Sequence, residues 1–173
     1  MKPEPKQSAS ARNVKKFRES WAELDMPLLS LYVSREHHAF LRAWTNMTVG
    51  AELLERLENG DEKATEVMSD KKPKHSITYQ KILQLGMEGA SESKLIRRDK
   101  LLGARLSADE AIEKGRDAMK RGDYEGMAYW YAREYALSIY IRGAYELLSY
   151  ELDGGQILPK DLAFDTAGEK DAV

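Results

Sequence analysis

GDYEGMAYWYAREYALSIYIRGAYELLSYEL, Gly122 to Leu152, is the stretch whose reading decides the fold. It carries most of the nine tyrosines and one of the three tryptophans, and no proline interrupts it. Wound as one helix at ~100° per residue, it places Tyr124, Ala128, Tyr131, Tyr135 and Ile139 on one face. Trp130, Leu137, Ile141, Ala144 and Leu148 fall on the opposite face. A surface helix needs a single apolar stripe, whereas one apolar on two faces must be covered by neighbours on both. The expected fold is therefore all-α: a single-domain multi-helix bundle around a long buried C-terminal helix.

Composition agrees with that class. The chain has 173 residues, enough for one domain with a real core. Its hydrophobic fraction is 42% and its charged fraction 32%, a pairing that suits amphipathic helices with solvated outer faces. A net charge of −2 means the chain as a whole is not a polycation seeking nucleic acid or anionic lipid. With no cysteine, disulfides, thiolate catalysis and cysteine-based metal sites are excluded. The polar start MKPEPKQSASARN is no secretory signal. No uncharged run approaches the ~20 residues needed to span a bilayer, so a cytoplasmic location is expected, with no membrane partner.

Outward from the long helix, Ser107 opens SADEAIEKG, expected as a separate helix with Glu110 completing a capping box, running to about Arg121. Before it, Ser91 or Ser93 caps a helix carrying Leu95, Ile96, Leu101 and Leu102 and ending near Gly103. Residues 76–87 read as helix, broken by Gly86 and Gly89, and DEKATEVM as a short polar helix. SDKKPKH, 69–75, is a basic linker. Residues 27–58 admit two readings. Either Pro27 opens a helix with Val33, His37, Phe40, Trp44, Met47, Ala51 and Leu54 as its seam, or 28–33 is a short strand and Ser34 caps a helix starting REHHAFL. Val14, Phe17, Trp21 and Leu24 mark a first helix from about Ala11, ended by Met26-Pro27. Residues 1–10 are expected to be a disordered segment, 11–152 the helical domain, and 153–173 a C-terminal arm or tail.

No chemistry-bearing motif stands out. His37 and His38 are adjacent and diverge on a helix, His75 sits in the linker, and no His-Glu-x-x-His occurs. Phosphate loops and nucleophile elbows are missing. No catalytic residue, metal site or cofactor is expected.

AIEKGRDAMKRGDYEGMAYWYAREYAL resembles a tetratricopeptide hairpin, whose second helix commonly opens Gly-Asp-Tyr-Glu. The likeness, placed at 107–152, implies two antiparallel helices. It covers about a fifth of the chain with no second copy, and a solenoid needs about three. The segment is also similar to a helical nuclease and nucleotide-binding family with an arginine four to six residues before a histidine. Arg142 matches the arginine, but Leu147, Leu148 and Ser149 stand where the histidine would fall.

Two functional readings emerge. The first is a non-enzymatic helical interaction module, a subunit of a larger protein assembly, joined to a partner or to itself through Tyr124, Tyr131, Tyr135 and Trp130. Tyrosine suits interfaces because its ring buries area while its hydroxyl stays satisfied at a wet edge. The second is nucleic-acid binding, as a DNA-binding regulator or small nucleoprotein subunit, through Lys94, Arg97, Arg98, Lys100 and Arg105. ITYQKILQLGM followed by a helix resembles a helix-turn-helix with Gly86 in its turn. On the strand reading, the chain instead resembles a ribbon-helix-helix repressor presenting Ser30 and Tyr32.

Overall fold

A computed structural model describes residues 9–26, 34–73 and 77–154. Six helices account for 79% of them, and no strand occurs among them. They are α1 (Ala9–Ala22), α2 (Arg35–Glu58), α3 (Glu62–Ser69), α4 (Tyr79–Leu83), α5 (Glu92–Lys120) and α6 (Tyr124–Leu152). The alternative strand at 28–33, the opening at Pro27 and the tail beyond Gly154 lie outside the described residues.

α6 is the axis of the bundle. Asp123 caps it, its carboxylate accepting from the Gly126 amide at 2.8 Å, and Gly122 turns the chain from α5 with φ +73°, a conformation that favours glycine. From Gly126 to Leu152 every α6 residue is buried or half-buried. Leu137, Ile141, Ala144 and Leu148 pack with Ile82, Leu101 and Ala108 of α4 and α5. Around the cylinder, Ala132, Ala136, Tyr135 and Ile139 pack with Trp21, Leu53, Leu57, Ala64 and Met68 of α1, α2 and α3. The chain itself covers the helix on two sides, but the expected tyrosine face is split. Tyr135 and Ile139 face α1–α3, Tyr131 turns to Gly115 of α5, and Tyr124 is exposed.

Small residues set the spacing. A Cβ built on Gly50 of α2 falls 2.6 Å from the Tyr140 Cα, and one built on Gly143 falls 2.9 Å from the Asn46 carbonyl carbon. Only glycine permits that approach of two backbones. On the other side Gly115 of α5 lies under the Tyr131 ring, whose Cε1 is 2.6 Å from a built Cβ, among buried Ala108, Ala111 and Ala118. These contacts run in opposite chain directions, so α6 is antiparallel to both α2 and α5. The α5–α6 hairpin has 29 residues in each helix, whereas a tetratricopeptide repeat fits both helices in about 34.

Several expectations about helix bounds and register need correction. Ser107 starts no helix: α5 runs unbroken through Gly103 and Ser107. Leu101, Arg105, Ala108 and Ala111 continue one buried face across both residues, and burial against α6 outweighs the ~1 kcal/mol that an interior glycine costs. The α2 seam is Phe40, Ala43, Gly50, Leu53 and Leu57, with Ala51 exposed, because the close approach at Gly50 turns the helix one residue. α2 starts at Arg35 with Ser34 in the N-cap position, as the REHHAFL reading expected and not as one helix continuing from Pro27. The Ser34 hydroxyl nevertheless meets His37 Nδ1 at 2.8 Å rather than capping an amide. α4 is one turn long where 76–87 was expected, and α1 ends at Ala22, ahead of Met26-Pro27.

Candidate functional site

α5 buries one side against α6, and its opposite side is not fully polar. Leu95, Ile96 and Leu106 point outward, Leu106 57% and Ile96 49% exposed. Helical spacing of seven and three aligns Ile96, Gly103 and Leu106, and Leu102, half-buried, lies beside them. Gly103 is exposed, and a Cβ built there meets nothing within 4 Å, so the helix surface is open at the centre of the stripe. Asp99 falls on the same line, between Ile96 and Gly103. The charges along this side are largely paired within α5: Asp99 with Arg98 at 3.5 Å, Glu110 with Lys114 at 2.7 Å and Glu113 with Arg116 at 3.1 Å. Next to α5, α4 buries Ile82 and leaves Tyr79 and Leu83 outside.

The basic residues picked from the sequence do not gather on one free surface. Arg105 is 7% exposed and donates to the Asp109 carboxylate at 2.6 Å. Arg97 is held by Glu151 near the end of α6. Arg98 reaches Asp99 at 3.5 Å, and its Nε is buried without an acceptor. Lys94 and Lys100 make no ion pair among the described residues, and they are half-buried and exposed respectively. Burial raises the Glu134 carboxyl above its ordinary value, and the Arg105 and Arg116 charges oppose that in part.

The tyrosine set is mostly used inside the chain. Tyr131 lies on Gly115, and Tyr135 packs on the α1–α3 side, where burial first and Asp70 second raise its hydroxyl. The Trp130 ring takes the Lys114 ammonium at 4.5 Å and Tyr129 edge-on at 5.1 Å. Tyr124 alone of the four is open, at 70%. Cover for both apolar faces of α6 comes from helices of the same chain, α2, α3 and α5.

Sequence reasoning missed the outward stripe of α5 because Leu95, Ile96, Leu101 and Leu102 all read as core. The available signal was surplus: a helix with one packed face needs fewer apolar positions than this one carries. Among the described residues no group of three or more His, Asp or Glu side chains is placed to hold a metal ion, and no helix is long and apolar enough to cross a membrane. No protein-family model, curated protein or solved structure matches the chain.

Proposed function

We propose that this protein is a non-enzymatic helical interaction module, a subunit of a larger protein assembly, and that the outer face of α5 is its docking surface. The observation that carries the reading is the outward Ile96–Gly103–Leu106 stripe on a helix whose other side is already packed. Apolar side chains aligned on a rigid helix and rimmed by charge make the surface that a partner helix covers. Burying the stripe against a partner removes apolar area from water at about 25 cal/mol per Å².

Nucleic-acid binding through 94–105 is the weaker reading. Carboxylates already neutralise Arg97 and Arg105, leaving Lys94 and Lys100 to meet phosphate. The two readings separate by the native mass of the protein in an extract of its own cells. An assembly held by the α5 face migrates well above 19.7 kDa, resists nuclease, and falls to chain mass in an Ile96→Glu, Leu106→Glu variant with unchanged helix content. A shift caused by nuclease favours the second reading, and wild-type protein migrating at chain mass refutes the first.

A further inference from the structure

α1 enters the bundle at its C-terminal end. Trp21 and Leu24 are buried there in a hollow walled by Leu53 and Leu57 of α2, Ala64 and Met68 of α3, and Ala132 and Ala136 of α6. Every residue from Val14 to Glu19 is exposed, with Phe17 and Val14 at 45% and 47% on the same stripe as Trp21. A helix of 14 residues gains little from its own hydrogen bonds, so the two buried side chains are its main anchor. We infer that the α2–α3–α6 hollow is a binding groove for an amphipathic helix of a partner protein, one with a tryptophan and a leucine three residues apart. α1 fills that groove as a tethered, displaceable ligand, and its sequence is the template for the partner's helix.

The resident is loosely held. Among the described residues, the polar tie between this end of α1 and the bundle is the Arg56 guanidinium, which donates to the Leu24 carbonyl at 2.7 Å. The ion pair of α1, Lys15 with Glu19 at 3.7 Å, stays within the helix. Trp21 Nε1 is buried without an acceptor, so seating the indole gives up a hydrogen bond that water supplies. Asp25, in the turn that follows, sits at φ +55°, a left-handed conformation that disfavours a side chain. The walls of the groove do not depend on α1. Asp61 caps α3, accepting from the Ala64 amide at 3.1 Å, and α3 packs directly on α6. Arg133 of α6 holds Glu58 at the end of α2, also at 3.1 Å. With α1 away, Arg56 keeps Glu52 and Asp61 and stays poised for the free carbonyl at the end of an incoming helix. Buried anchors at helical spacing are how a groove reads a helix. A resident lowers the apparent affinity for a competitor by the fraction of chains in which it is away.

A fluorescent peptide of residues 9–26, titrated into the full chain, tests this. Trp21→Ala in the chain weakens the resident and should raise the peptide's affinity at least tenfold over the wild type. Trp21→Ala in the peptide should lower its binding to either chain at least tenfold. A Trp21→Ala chain that keeps its helix content and does not bind the wild-type peptide overturns the inference. Hydrogen exchange by NMR on the isotope-labelled wild-type chain needs no variant to fold. Amides of α1 should be at least tenfold less protected than those of α6. Excess unlabelled peptide should speed them further and leave α3 and α6 unchanged. Amides of α1 as slow as those of α6, or indifferent to the peptide, overturn the inference too. A wild-type dimer that Trp21→Ala dissolves gives the groove to α1 of a second copy and overturns the reading of a partner's helix. None of these outcomes bears on the α5 face.

Discussion

Gly143→Ala probes the closest approach in the bundle. The added Cβ would fall 2.9 Å from the Asn46 carbonyl carbon, with the Met47 nitrogen and Ala43 oxygen nearer still. All three are backbone atoms of α2, so no side chain can rotate away. Relief requires α2 to retreat by roughly 1 Å along its contact with α6. Overpacking of a tight site costs about 1–3 kcal/mol, and a rigid backbone on both sides puts this site at the top of that range. Alanine returns ~1 kcal/mol of helix propensity. The net loss is about 2 kcal/mol, equivalent to ~4–8 °C in Tm for a chain of this size. Gly103→Ala supplies the opposite sign. Nothing lies within 4 Å of its built Cβ, so only the gain of ~1 kcal/mol remains. Urea unfolding followed by circular dichroism, at one protein concentration for all variants, measures both. Gly143→Ala as stable as its parent, or the two substitutions moving stability the same way, would refute the reasoning.

Other consequences follow from individual contacts. Leu148→Ala removes a fully buried side chain between α4, α5 and α6, and should cost ~2–5 kcal/mol by denaturant titration. Asp123→Ala removes the α6 cap and should cost ~1 kcal/mol, with faster amide exchange at Gly126 than in the wild type. Glu134→Gln should stabilise the protein at neutral pH. Burial raises the Glu134 pKa above its ordinary 4.5, so the folded state holds the proton more tightly than the unfolded chain does. Its ionised form therefore subtracts stability above the folded pKa, and the deficit vanishes as pH falls below 4.5. Melting curves of both proteins across that range should converge on acidification, and a constant gap would point to another cause.

The central helix was legible because its signal is redundant. Apolar residues on two faces over 29 positions, bounded by Gly122-Asp123 and Gly154, admit one reading. Local boundary signals misled at Ser107, where a good capping sequence lies inside a helix that the Ala108, Ala111 and Gly115 contacts with α6 hold straight. The register of α2 escaped for a related reason. Gly50 and Ala51 are equally plausible seam residues until α6 comes close enough to admit only glycine. The candidate site was misplaced by the same kind of omission. Arg97 read as a free cation because its partner, Glu151, comes from another helix through packing. Arg105 did so because the break expected at Ser107 hid its partner Asp109, four residues on along one continuous helix. Leu95 and Ile96 read as core because the sequence does not say which apolar residues the bundle leaves over.

The order of α2 and α6 along the chain also matters during synthesis. Gly115 and Tyr131 are about 16 residues apart, Gly50 and Tyr140 about 90, so closing the second contact costs about 1.5 kcal/mol more chain entropy. At ~5–20 residues per second, α2 leaves the ribosome some 5–18 seconds before the helix it packs against. Through that interval Leu53 and Leu57 have only the α1 and α3 part of their native cover, Phe40 waits for Leu147, and the nascent chain is open to whatever binds exposed apolar helices.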